Sequence, residues 1–188
     1  MLKIIKIYIS FIIFNIILIN NSYSANYVIN QEKSIIDFSG IHAGNKFTGN
    51  IGKYQAKIDF DQNNLKNSQI EVIFDMANFK TGNDMYDGTL PTKDWFDIKN
   101  HPKSYFKSKK IIKKNANYYI IGDLTIKNIT KEVKFDFDLK NIEKNSVSVK
   151  SNFNINRLDY NIGIESDPDG QWVDLKININ LNLIAKSE

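Results

Sequence analysis

The side chains able to do polar chemistry are few and widely spaced. His42 and His101 are the two histidines. Neither belongs to a His-x-x-x-His pair or to a carboxylate–His spacing that would hold a metal, and both read as isolated polar or turn residues. Asp167-Pro168-Asp169-Gly170 opens like a calcium loop but lacks the later ligands and the distal Glu. Its Pro, Asp and Gly are turn chemistry. Asp59 and Asp61 share a parity near a strand end and read as a solvated rim. Asn128-Ile129-Thr130 matches a glycosylation sequon and, equally, a tight turn. There is no G-x-S-x-G, no P-loop and no G-x-G-x-x-G. The chain has no cysteine, which excludes disulfides, thiol catalysis, Cys-ligated metals and a lipoprotein-type acylated N-terminus.

Arg157 stands apart as the one arginine among 25 basic residues. Its planar fork of five donors does what an ammonium cannot. Two readings stay open. Arg157 either clamps carboxylates or carbonyls at a strand end, with Asp159 nearby in sequence, or contacts the acidic or carbonyl-bearing head of a ligand. The remaining basic residues are scattered lysines, and the net charge is only +4, half of it from Lys3 and Lys6. Nucleic-acid binding has no support in this pattern.

These groups must be held by a frame, and the frame reads as β-structure behind an export signal. Lys3 and Lys6 precede an apolar run over Ile7–Ile19, and Ser22-Tyr23-Ser24 supplies small residues for cleavage before Ala25. This reads as a cleaved secretory leader over 1–24, with an uncleaved anchor as the alternative; its apolar core is shorter than the roughly 20 residues of a membrane span. Residues 25–188 then form one domain, expected to be periplasmic, without membrane insertion, and compatible with a homodimer. At 188 residues and 42% apolar content the chain can bury a real core.

Alternation marks the strands: Asn26–Asn30, Ser34–Ile41, a long bent strand over Lys46–Phe60 that breaks near Gly52, Ser68–Met76, Tyr105–Ile112, Tyr118–Ile126, Glu132–Leu139, Val147–Ile155 and Trp172–Leu183. Gly40 and Gly44 read as bulges, and Asn128 as a left-handed turn residue. Roughly eight strands joined mainly by short turns predict an all-β sandwich or barrel. Closure removes exposed edges and leaves an interior that side chains fill or that holds one small ligand.

One stretch breaks the alternation. Thr81–Ser108 packs Met85, Tyr86, Leu90, Trp95 and Phe96 among glycines and prolines. It reads as a compact, partly helical cover over the barrel end. Inward parity places Phe38, Phe47, Phe74, Phe135, Phe137 and Phe153, with Trp95 and Trp172, either in an ordinary core or along an apolar tunnel.

Several short motifs in order carry a resemblance. They are Ser34–Phe38, the Gly49 strand leading to Ile58-Asp59-Phe60-Asp61, Thr81-Gly82-Asn83, Leu90 followed by Asp94-Trp95-Phe96-Asp97, and His101-Pro102 before Phe106-Lys107-Ser108. Gly122-Asp123-Leu124-Thr125-Ile126 with Thr130 and Val133 follows, and then Arg157-Leu158-Asp159-Tyr160 into Ile162-Gly163. Through these the mature chain resembles the YceI-like family of lipocalin-like periplasmic proteins. It departs from the family at Asn128, where Gly is common, and at Glu32, where His is common. The Trp95 and Trp172 surroundings are closest to a branch also found fused to cytochrome b membrane domains.

The resemblance implies an extended antiparallel lipocalin-like barrel of about eight strands with short helical segments in the 81–104 loop. It also implies an apolar interior that binds a long-chain isoprenoid or similar fatty lipid, without catalysis or cofactor. The expected ligand-binding residues are Phe38, Phe47, Phe74, Met76, Met85, Tyr86, Leu90, Trp95, Phe96, Phe137, Phe153, Arg157 and Trp172. Two other functions remain open on sequence. One is a non-catalytic barrel serving a membrane redox (cytochrome b) partner; the other is a lipid-modifying enzyme built around Arg157.

Overall fold

Side chains that alternate along a strand put every second residue on one face of the sheet. In the computed structural model, which describes residues 25–143 and 145–188, that pattern runs through most of the chain. The leader over 1–24 lies outside the described residues. The strands are β1 (Ala25–Ile29), β2 (Ile35–His42), β3 (Asn45–Ile51), β4 (Tyr54–Phe60), β5 (Gln69–Asp75), β6 (Phe79–Lys80), β7 (Lys103–Lys114), β8 (Asn117–Ile126), β9 (Ile129–Glu143), β10 (Ser146–Asn156) and β11 (Lys176–Ser187).

All pairings are antiparallel. β1, β4, β5, β7, β8, β9, β10 and β11 are successive neighbours, and β11 returns to β1 through Val28 and Lys186 to close the barrel. β2 takes the other part of the same β11 edge, from Asn178 to Asn182, and carries β3 and β6 beyond it. The early strands are long strands broken once. A 3-10 turn over Gln31–Lys33 separates β1 from β2, the backbone bends at Gly52 between β3 and β4, and a second 3-10 turn over Met76–Asn78 separates β5 from β6. Joined across these breaks they give the eight long strands that the sequence pattern predicts.

Three local expectations change. Gly40 is no bulge: it pairs regularly with Phe47, whose ring lies 2.8 Å from where a Cβ would stand. Gly44 sits with Ala43 in the hairpin turn, both at positive φ (79° and 48°), as two-residue hairpins require. The last strand begins at Lys176 and not at Trp172, which lies in the segment before it. Asn128 does turn the chain left-handed, at φ 61° beside Lys127 at 50°.

The non-alternating stretch closes one end of the barrel. Asn83 caps helix α1 (Asp84–Thr89) by accepting from the Met85 and Tyr86 amides, and Asp87 accepts from the Thr81 amide and hydroxyl. Turns then carry the chain to His101. Phe96, Leu90, Trp95 and Ile98 pack against Met76, Ile126, Tyr160 and Ile162, with the Phe79 and Phe96 rings edge-on at 5.2 Å. Burial first, and the Asp159 carboxylate second, push the Tyr160 phenol up to about 12, so it stays neutral.

The segment between β10 and β11 locks this cap. The Asp94 carboxylate accepts from the Glu165 and Ser166 amides and the Ser166 hydroxyl. The Lys127 ammonium donates to the Asp94 and Asn161 carbonyls. At the centre is Arg157, 1% exposed. Its Nε donates to the Val173 carbonyl, Nη1 to those of Ile162 and Gly163, and Nη2 to the Asp167 carboxylate at 2.7 Å and to the Asp167 and Val173 carbonyls. The guanidinium also lies 5.8 Å from the Trp95 ring centroid. Asp167 in turn accepts from the Gln171, Trp172 and Val173 amides. Burial raises the Asp167 carboxyl, but those amides and the Arg157 charge outweigh it and hold it below its ordinary 3.8.

Two outcomes follow for stability. A Cβ at Gly49 would stand 2.1 Å from the Phe38 ring on the paired strand, so Gly49→Ala should cost about 1–3 kcal/mol, read as a lower Tm. Asp167→Asn leaves Arg157 buried without its counter-charge and should cost about 3 kcal/mol at neutral pH in denaturant titration. A depressed carboxyl stabilises above its unfolded pKa and loses that contribution as pH falls through the folded one. The wild type should therefore lose stability as pH drops below 3.8, and Asp167→Asn should lose less over the same range.

Candidate functional site

The inward faces of the closed wall surround a cavity of about 240 Å³ that reaches from the cap to the far end. The sequence nominees Phe38, Phe47, Phe74, Met76, Leu90, Trp95, Phe96, Phe137, Phe153 and Arg157 line it, as does Phe135. Phe135 stacks on Phe153 at 4.1 Å, and Phe60, Tyr118 and Phe137 form an aromatic cluster at the end away from the cap. The inward residues of β11, Ile177, Ile179, Leu181 and Leu183, complete the wall beside β2 and β10. Their alternation was plain in the sequence, but aromatic content alone did not mark these aliphatic positions as lining.

Three nominees lie elsewhere. Met85 is 58% exposed and Trp172 62% exposed, and neither lines the cavity. Helix α1 is too short for a periodic apolar stripe to fix which face turns inward, and Met85 is on its outer side. Trp172 is held outside because its amide donates to Asp167 while its carbonyl accepts from Ala43. Tyr86 also lies off the cavity. Its hydroxyl shares a 2.8 Å hydrogen bond with His42 Nδ1, and its ring packs near Phe47. Tyr86 and His42 thus pin α1 to the β2–β3 hairpin.

Arg157 borders the cavity, but all five of its N–H groups are spent on protein acceptors. The reading as a clamp is the one the geometry supports. The partner is Asp167, ten positions on in the turn, and not Asp159. No donor is left for a ligand head. The Asp167 turn likewise spends its carboxylate on backbone amides and Arg157, leaving nothing of a calcium loop. His101 Nε2 lies 3.7 Å from the Asp97 carboxylate. Among the described residues no group of three or more His, Asp or Glu side chains is placed to hold a metal ion.

The lining is therefore apolar over nearly its whole area. Besides Arg157, the polar side chains that border it are Tyr27, Tyr54 and Ser104. Ion pairs such as Lys107–Glu71 and Lys109–Asp123 lie on the outer wall, where exposed pairs contribute little. Such an interior can take up hydrocarbon and exclude water. Among the described residues no helix is long and apolar enough to cross a membrane.

Comparison with known proteins gives the same architecture. A UPF0312 protein of Photorhabdus laumondii is 27% identical over 168 residues, spanning 85% of this chain and 88% of that protein. Another from Yersinia enterocolitica is 23% identical over 167 residues, covering 85% and 87%. The crystal structure of BcnA from Burkholderia cenocepacia superposes with a TM-score of 0.80 at 24% identity, over 85% of this chain and all of that one. A domain from Saccharophagus degradans, described as a polyisoprenoid binding domain implicated in plant cell wall breakdown, gives a TM-score of 0.68 at 10% identity, over 87% and 99%. The family model of the YceI-like domain matches residues 27–185, and the chain belongs to the YceI-like family.

Proposed function

We propose that this protein is a non-catalytic carrier that holds a long-chain isoprenoid or similar amphiphilic lipid inside its barrel, and that its leader sends it to the periplasm. The observation that carries this reading is the cavity itself: a lengthwise apolar space whose only charged neighbour among the described residues, Arg157, is fully engaged by protein groups. Burying about 300 Å² of hydrocarbon at roughly 25 cal/mol per Å² gives about 7.5 kcal/mol before the entropy of association is subtracted. No group in the lining needs to do chemistry for that. The description of the Saccharophagus degradans domain as polyisoprenoid-binding supports the same ligand class.

Native mass spectrometry of the mature protein purified gently from its own host should show a bound lipid. Ile179 points into the cavity from β11, so Ile179→Trp should reduce lipid loading at least tenfold while the folded far-UV spectrum persists. A ligand-free mass, together with no uptake of polyprenyl chains by the wild type, contradicts the carrier reading.

A further inference from the structure

The wall carries several serines, and one of them is unlike the rest. Ser34 Oγ donates to the Ile184 carbonyl and accepts from the Ile184 amide. Ser68 Oγ accepts from the Asp61 amide. Ser108 Oγ accepts from the Ile70 amide, and Ser151 Oγ donates to the Asp136 carbonyl. Each ties strand or turn backbone. Ser104 does not. It lies near the start of β7, on the inward parity of Phe106, borders the cavity and is 3% exposed, yet its buried Oγ has no hydrogen-bond partner.

A buried hydroxyl without a partner is costly, and an alanine there would not be. Ser104 itself borders the cavity, and serine in a strand has more than one common χ1 rotamer with which to meet a ligand. Tyr54, two strands away across Phe74, also buries its hydroxyl. Tyr54 has Ser34 beside it, and burial raises its phenol pKa more than Ser34 lowers it. The Tyr54 hydroxyl, like that of Ser104, makes no hydrogen bond within the protein; among the described buried serines of the wall Ser104, near the start of β7, alone is left without one.

We propose that Ser104 is the polar anchor of the cavity, hydrogen-bonding an uncharged hydroxyl or carbonyl at the head of the bound lipid. This rests on the carrier reading and deepens it in two ways. First, it orients the ligand. Ser104 pairs with Phe74 and follows Pro102, whose carbonyl accepts from the amide of Met76, the residue on which Phe96 of the cap packs, so the head lies under the cap and the chain runs toward Phe60 and Phe137. Second, it sets the class of head group. Arg157 has no free donor and no lysine borders the cavity, so a phosphate drawn inside would be a buried, unpaired charge. A neutral head needs only one hydroxyl.

The test uses delipidated mature protein carrying Trp172→Phe, so that Trp95, which lines the cavity, reports binding by fluorescence. Geranylgeraniol, geranylgeranyl phosphate and the corresponding hydrocarbon are titrated into this protein and into its Ser104→Ala variant. The alcohol should bind more tightly than the phosphate. Ser104→Ala should weaken the alcohol about 3- to 10-fold, the range of one neutral hydrogen bond, and leave the hydrocarbon unchanged. Equal losses for both, no loss for the alcohol, or a preference for the phosphate overturns the anchor while the carrier reading stands. Failure of all three to bind the protein with Ser104 intact overturns the carrier reading and the anchor with it. In the delipidated state Ser104→Ala should melt no lower than its parent. A lower Tm would show that the hydroxyl has a structural partner, and would also overturn the proposal.

Discussion

Pairing of β1 with β11 through Val28 and Lys186 sets the constraint on which everything else depends. Once the sheet is closed, the inward side chains of every strand share one space, and the outward ones bear the charge. A closed wall also leaves no free edge between its first and last strands. The wall is not a plain cylinder. β11 pairs with β1 near its end and with β2 nearer its start, so the early strands must break and change direction along its length. The breaks at Gln31–Lys33, Gly52 and Met76–Asn78 are where they do so. Gly49 allows the Phe38 ring to lie across the paired strand near that bend.

The cap answers the other demand of a barrel, which is that an end must be covered without stranding polar backbone. Here the cover is irregular, so its amides and carbonyls need partners that a ladder would otherwise supply. Arg157 and Asp167 meet that need together. One fork satisfies carbonyls from residues on both sides of the turn, and one carboxylate satisfies the amides at its exit. Asp94 and Lys127 repeat the device between the cover and the 161–166 turn. Charge at this end is thus used for building, and the cavity beneath is left apolar.

Much of this was legible in the residues. Alternation located the strands because period-2 burial is written directly into their side chains, and the bend at Gly52 showed as a break in parity. Arg157 announced itself as the only arginine, yet its partner did not. Asp159 is closer along the chain, but a 3-10 turn over Arg157–Tyr160 and a left-handed Asn161 fold the chain back so that Asp167 arrives instead. Trp172 was misplaced because strand parity was carried back past the real start of β11 at Lys176. Met85 and Tyr86 sit on six residues of helix, too few for periodicity to fix a facing. Ser104 was passed over because the alternation placed the start of that strand at Tyr105; the strand begins at Lys103, which puts Ser104 on the inward face with Phe106.

The account stands or falls on what occupies the barrel. The most direct measurement is a crystal structure of the mature protein purified from its own host, with electron density inspected along the cavity. The account predicts continuous density, with its head beneath Phe96 beside Ser104 and its tail running over the paired Phe153 and Ile179 toward Phe137. An interior closed by its own side chains, with no such density, would contradict it.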